Sequence, residues 1–395
     1  MRVNWSRAEL TGLALAAYVP GEVLVTLSGE LKDAEPIVEK LEKEFQLKRL
    51  KDVQLSSISK VLVLFRSKPK NLLPELILKL QRHLQVESVQ PNFIYRGSNA
   101  QTGDSESSQY GPRLIRADRA ARYSTGKGIR IALIDTGVDE HEDLKDRVIE
   151  RANFTDDKDY RQDIHGTIIA GIISANPHNG FGINGIAPDA SIISIKVLKQ
   201  ASASDSTATT SNSFAAVQGL LFAIRKKANV ANLSFGAPRR DSIMADTVMA
   251  AVRGGMVVVA AAGNSGPQGR PDYPAALDGV IAVSAVGRDK MPYASGTVGD
   301  YIDLTAPGIG IHSTWPGNAF RDSKGSSEAA AHVTGVVALL LEKKPNASPI
   351  EIKNLLERTS TDLGPKGKDN VFGSGLVNAC KALEELINSG GICSN

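Results

Sequence analysis

From residue 128 onward the chain repeats one pattern. Near-continuous apolar runs of strand length at 129–134, 191–197, 230–233, 256–261 and 280–283 alternate with helical stretches at 166–174, 213–227, 242–253 and 329–343. A strand with one wet face would alternate apolar with polar residues, whereas an unbroken run predicts a parallel strand covered on both sides. Together with the intervening helices this predicts a three-layer α/β unit on a mostly parallel sheet, with functional residues at the carboxyl ends of its strands. A polar insertion at 200–211, rich in Ser and Thr, reads as a mobile surface loop.

The first hundred residues follow a different rule. A strand at 22–27 is followed by a helix at 33–45, with Ile37, Val38, Leu41 and Phe45 on one face, then a strand at 60–65, a helix at 72–84 and a strand at 86–95. That order predicts a small α+β unit over 21–97 with its helices packed on one face of a sheet. Residues 98–108 are poor in apolar side chains and rich in turn formers, the composition of an accessible linker open to proteolysis. The larger unit then spans 109–395.

Composition narrows the function classes. With 395 residues, 42% hydrophobic and 23% charged, the chain is globular and long enough for two folded units. A net charge of +3 is too balanced for a polyanion-binding protein, so no nucleic-acid partner is expected. Residues 1–20 form a leader or a degenerate export signal: the uncharged run 10–19 follows Arg2 and Arg7, but Glu9 interrupts the basic part and ten residues do not span a bilayer. Two cysteines, Cys380 and Cys393, flank a Ser-Gly-Gly turn and leave both a bridge and two thiols open.

Candidate chemistry sits at the ends of the predicted strands. Asp135 closes the first, in IALIDTGVDEHEDL; His165 opens a helix in DIHGTIIAGIISA; Gly263 and Asn264 close VVVAAAGN; Ser327 lies at the start of the helix in GSSEAAAHVTGVVALLL. Each alone has a bland reading as a turn residue, a core histidine or a helix cap. Their chain order, Asp then His then Ser, is a known order for a hydrolytic triad, and an asparagine amide beside a helix N-terminus suits an oxyanion.

With the further stretches NGFGINGIAPDASIISIKVL, ANLSFGAP and LTAPG, residues 106–385 resemble the subtilisin-like serine proteases, in particular their thermitase-like branch. The resemblance implies that Ser327 is the nucleophile, His165 the general base, Asp135 its orienting partner and Asn264 an oxyanion donor. It places extended polypeptide substrates along Ser234, Phe235 and Gly236, with a facing strand around Thr210 and Ser211, and a specificity pocket lined by Gly263 and Asp272. A carboxylate at Asp272 would favour Lys or Arg before the scissile bond, with a broad apolar pocket as the competing expectation.

The same resemblance suggests structural calcium held by Asp143, the Asn179 amide and the carbonyls of Pro177, Phe181 and Ile183, with Glu106 or Asp104 as a sixth ligand, and no organic cofactor. It makes 21–97 an inhibitory and chaperoning propeptide, cut between Arg96 and Asn99, with Arg96 the natural occupant of an Asp272 pocket. A secreted monomer without a membrane partner is expected.

Three positions depart from the family pattern. Glu328 stands where a methionine is usual and Ala331 where a proline is usual, while Ile168 replaces a frequent second histidine. Glu328 would repel acidic substrates, raise the basicity of His165, or reduce activity. The rival expectation is therefore a weak or inactive peptide-binding protein of the same fold; a nucleotide-binding sheet is disfavoured because no GxGxxG follows the first strand.

Overall fold

The computed structural model describes residues 5–6, 17–68, 72–97, 109–157, 163–202 and 205–391. The linker 98–108 and most of the leader lie outside them.

In the N-terminal unit, β1 (Tyr18–Ser28), β2 (Leu47–Leu55), β3 (Lys60–Ser67) and β4 (Val86–Gly97) form an antiparallel sheet in the order β2-β3-β1-β4. Helices Leu31–Phe45 and Leu73–Leu80 cover one face, burying Val23, Val25, Val61, Val63 and Phe65. The opposite face turns Leu24, Leu62 and Leu64 toward the larger unit, where they join its core. Burial on both faces explains why residues 61–65 read as a solid apolar run. Strand β2 is absent from the sequence expectation because it is an edge strand, with lysines at both of its exposed positions, Lys48 and Lys51.

The larger unit is built on β5 (Arg130–Asp135), β6 (Val148–Asn153), β7 (Ser191–Lys196), β10 (Val230–Leu233), β12 (Val257–Ala261), β13 (Val280–Val286) and β14 (Leu304–Pro307). All their pairings are parallel, in the order β14-β13-β12-β10-β5-β7-β6. Side chains alternate between two cores. Ile131, Leu133, Val257 and Val259 pack under the helices Ile164–Ser174 and Ser326–Lys343. Ala132, Ile134, Val258 and Ala260 pack under the helices Ser213–Arg225 and Ser242–Arg253. The chain leaves β5 toward β6 and leaves the adjacent β10 toward β12 on the opposite side, so the crevice between β5 and β10 is the expected place for a ligand.

The polar insertion is not a loop. It forms a hairpin of β8 (Lys199–Ser202) and β9 (Asp205–Asn212), and β9 pairs with β4, so that one sheet runs from the N-terminal unit into the larger one. Ser and Thr tolerate extended backbone well, and the pairing partner lies more than a hundred residues away, beyond the reach of local patterning. Strand β11 (Phe235–Gly236) pairs with the other edge of β4, and β15 (Ile309–Trp315) with β16 (Ala319–Lys324) makes a separate hairpin. Trp5, from the expected leader, docks on the N-terminal unit, its indole N–H donating to the Val89 carbonyl at 2.7 Å. Cys380 is disulfide-bonded; the only other cysteine, Cys393, lies outside the described residues.

Candidate active site

Asp135 ends β5 fully buried, and the Thr136 N–H donates to its Oδ1 at 2.6 Å. His165 opens the helix Ile164–Ser174, drawn close by glycine: a methyl group at Gly166 would lie 1.9 Å from the Gly137 carbonyl oxygen. That approach brings His165 Nδ1 within 2.8 Å of Asp135 Oδ1 and 2.9 Å of Oδ2. Burial disfavours the imidazolium, but the charge and hydrogen bond of Asp135, with the charge of Glu328 added, outweigh it and raise the His165 pKa above its ordinary value. Nε2, the nitrogen left for a substrate-side partner, is buried and meets no hydrogen-bonding atom.

Ser327 is the second residue of the helix Ser326–Lys343 and is fully buried. Its hydroxyl donates to the Ser234 carbonyl at 3.4 Å, a long contact that leaves the bond to His165 unformed. Catalytic hydrogen bonds of this kind commonly close only with substrate. Asn264 follows β12 beside that helix start. Its Oδ1 accepts from the Ser326 N–H at 3.0 Å, which turns its NH2 group the other way, to within 3.1 Å of where a methyl on Gly325 would sit.

Beside Ser327, the Ser234 hydroxyl accepts from Asn232 Nδ2 at 2.8 Å, and Asn232 is fixed in turn by Thr334 at 2.8 Å. The strand that follows, β11, already holds an extended chain. Phe235 pairs with Gly97 and Gly236 with Arg96, while Ile94, Tyr95 and Arg96 pair with Asn212, Ser211 and Thr210 on the other side. The end of β4 thus lies between two strands in the cleft, next to Ser327.

A cavity of about 490 Å³ opens there, with Gly263, Asn264, Ser234 and Asp272 in its wall. Asp272 sits between β11 and the end of β12: a methyl on Gly236 would lie 2.9 Å from its Cβ, and one on Gly263 would lie 2.2 Å from its Oδ2. Burial pushes the Asp272 pKa up to about 6. Arg96 also borders this cavity. It is exposed, paired through its backbone to Gly236, and forms no ion pair with Asp272. In an extended chain neighbouring side chains point opposite ways, and Tyr95 takes the inward direction.

Of the expected metal ligands, Asp143, Asn179, Phe181 and Ile183 are linked by hydrogen bonds. Asp143 is fully buried; Asn179 Nδ2 donates to its Oδ1 at 2.7 Å and the Ile183 N–H to its Oδ2 at 2.8 Å. Asn179 Oδ1 accepts from the Phe181 N–H at 3.0 Å. A carboxylate has about four lone-pair sites, so two remain, and the Asn179 oxygen keeps one. Among the described residues nothing donates to the carbonyls of Pro177, Phe181 or Ile183. The donor set, all oxygen and mostly carbonyl, fits calcium. Glu106 and Asp104 lie outside the described residues.

Sequence reasoning missed the polar seam between the units. Asp241 caps the helix Ser242–Arg253 through the N–H groups of Ile243 and Met244, and also accepts from Gln90 Nε2 at 2.8 Å and the Tyr95 hydroxyl at 3.0 Å. Asn92 Oδ1 accepts from the Phe214 N–H at 3.2 Å, and the Phe93 N–H donates to Ser213 Oγ at 3.1 Å. An Asp before a helical run was a visible cap signal; its partners from the N-terminal unit were not.

Because the cleft is shaped around an extended backbone, fold and site together define a serine peptidase of the parallel α/β kind. A profile of the subtilase family matches residues 126–375, and the chain belongs to that family. It is 38% identical to subtilisin DY of Bacillus licheniformis over 282 residues, covering 70% of this chain and 98% of that protein. It is 37% identical to M-protease of Shouchella clausii, covering 73% of each. Fervidolysin from Fervidobacterium pennivorans, a keratinolytic enzyme related to subtilisin, superposes with a TM-score of 0.78 at 26% identity, over 93% of this chain and 61% of its own length. Among the described residues no helix is long and apolar enough to cross a membrane.

Proposed function

We propose that the chain is a secreted, monomeric serine endopeptidase made as a self-processing zymogen. The observation that carries this is the end of β4 paired between β9 and β11, beside the Asp135–His165 pair and Ser327. Ser327 Oγ attacks the peptide carbonyl while His165 Nε2 takes its proton; Asp135 orients the ring and stabilises its cation. The carbonyl electrons collect on oxygen, where the Asn264 amide and the Ser327 N–H donate. On collapse His165 returns the proton to the leaving amine, and water then hydrolyses the acyl-enzyme.

The pairing register supports a processing bond just past Gly97. Gly97 lies opposite Phe235, and the residue just before β11 is Ser234, whose carbonyl contacts Ser327. The reading therefore puts the cut after Ser98. Units 21–97 and 109–395 then act as inhibitor and enzyme, and the caps that Gln90 and Asn92 give to two helices of the larger unit support a templating role. Asp272, with a raised pKa and no cation beside it, supports preference for Lys or Arg before the scissile bond. Asp143, Asn179 and the three loop carbonyls would hold calcium, which supplies loop cohesion and no chemistry.

Glu328, with an unsatisfied oxygen next to the nucleophile, favours one second reading, an inactive peptide-binding protein. Active-site acylation separates the two: a burst of acyl-enzyme in the wild type and none in Ser327→Ala supports the peptidase, and no burst in either supports binding alone.

A further inference from the structure

Glu328 is the buried ionisable group at the site that the mechanism above leaves unused. It stands in the first turn of the helix Ser326–Lys343, 1% exposed. The Ser323 hydroxyl favours its ionised form, yet Oε2 is buried and meets no hydrogen-bonding atom. A methyl group on Gly325 would lie 3.0 Å from Oε2 and 3.1 Å from Asn264 Nδ2. The hollow that this glycine leaves is thus bordered by the Asn264 amide and by the unpaired oxygen of Glu328.

An ionised carboxylate can only accept, and at the rim of an oxyanion site it would repel the charge that develops there. A neutral carboxylic acid has an O–H to give. Resting on the peptidase reading, we propose that Glu328 acts as a neutral acid, its Oε2–H donating to the tetrahedral oxyanion beside the Asn264 amide, and that ionisation of Glu328 switches the site off. The proton stays on Glu328 throughout. The Ser327 Oγ–carbon bond forms as the carbonyl electron pair moves onto oxygen, and the proton that travels is the one His165 takes from Ser327 and gives to the amine when the carbon–nitrogen bond breaks.

Burial raises the Glu328 pKa, opposed in part by the charge of His165 from the helix Ile164–Ser174 and by the Ser323 hydroxyl on β16, and reinforced by the charge of Asp135 on β5. The competent state has neutral His165 and protonated Glu328. It carries the same number of protons as imidazolium beside carboxylate, so the two groups titrate as a pair holding one proton. Activity then rises as the pair loses its first proton and falls as it loses the second.

The test is the pH dependence of kcat and kcat/KM on a peptide amide, over about pH 4 to 10, for self-processed wild type, Glu328→Gln and Glu328→Leu. Wild type is expected to give a bell whose alkaline limb needs no variant to be seen. Glu328→Gln, whose amide donates at every pH, should lose the alkaline limb, and its rising limb should stay in place or move to slightly higher pH, because the single proton can no longer be shared with a second group. Glu328→Leu should also lose that limb, but with kcat at the wild-type optimum lowered about 10²-fold and KM little changed. An alkaline plateau in the wild type, or a Leu variant as fast as wild type at its optimum, would overturn the role of Glu328. Failure of the wild type to form any acyl-enzyme would instead remove the peptidase reading and this assignment with it.

Discussion

Tyr95→Phe isolates one contact in the seam between the N-terminal unit and the larger one, which the proposed function makes inhibitor and enzyme. The ring is fully buried and meets Phe235 edge-on at 5.4 Å, and its hydroxyl donates to Asp241 Oδ2 at 3.0 Å. Phenylalanine keeps the ring contact, so only the hydroxyl is lost. Burial raises the Tyr95 pKa, with the Asp241 charge adding to it, so the group remains a donor at any working pH. A hydrogen bond to a charged group contributes about 1.5–3 kcal/mol. Asp241 keeps Gln90 and the N–H groups of Ile243 and Met244, which places the loss near the lower end, at about 1.5–2 kcal/mol. That corresponds to roughly 10- to 30-fold weaker hold on the enzyme by the severed N-terminal segment. Progress curves of peptide hydrolysis after self-cleavage, taken over a dilution series, give the inhibition constant directly. A change of less than about threefold would refute the claim that the Asp241 seam holds the inhibitor in place.

Other consequences follow from the same geometry. Asn264→Ala should lower kcat by about 10²–10³ with KM nearly unchanged, measured on the processed enzyme; a change confined to KM would remove Asn264 from the oxyanion site. Asp272, with its pKa near 6, is charged above that pH and neutral below it, so preference for Arg over Leu before the scissile bond should fade as pH drops through about 6 and vanish at every pH in Asp272→Asn. A wild type that cleaves after Phe about tenfold faster than after Arg would contradict this. Calcium at 100 times its dissociation constant should raise stability by about 2.7 kcal/mol, seen as a higher Tm than in chelator, and Asp143→Asn should remove the difference; equal melting with and without calcium in the wild type would exclude the site.

The strands and helices around Asp135, His165, Asn264 and Ser327 were legible because the first ends and the third follows a buried apolar strand, while the other two open buried apolar helices, and burial leaves a strong local trace. The parts that were not legible depend on distant partners. Residues 200–211 read as a loop because their strand character comes from pairing with β4. Strand β2 was hidden by its charged edge. Arg96 stood out from its place before the linker; that it borders the Asp272 cavity without an ion pair to that carboxylate depends on the register of β4 against β11, which no local pattern carries. The role of Asp241 as a seat for Gln90 and Tyr95 needed the two units side by side. Glu328 was visible as an anomaly in sequence, and only the placement of its Oε2 near Asn264 chose among the effects it could have.

The central claim is that this chain cuts itself with Ser327 while the end of β4 lies in the cleft. Intact mass of purified wild type beside Ser327→Ala tests it most directly. The account predicts a wild type divided after Ser98 and a Ser327→Ala chain that stays whole. Two chains that both remain at full length, or both divide at the same bond, would contradict it.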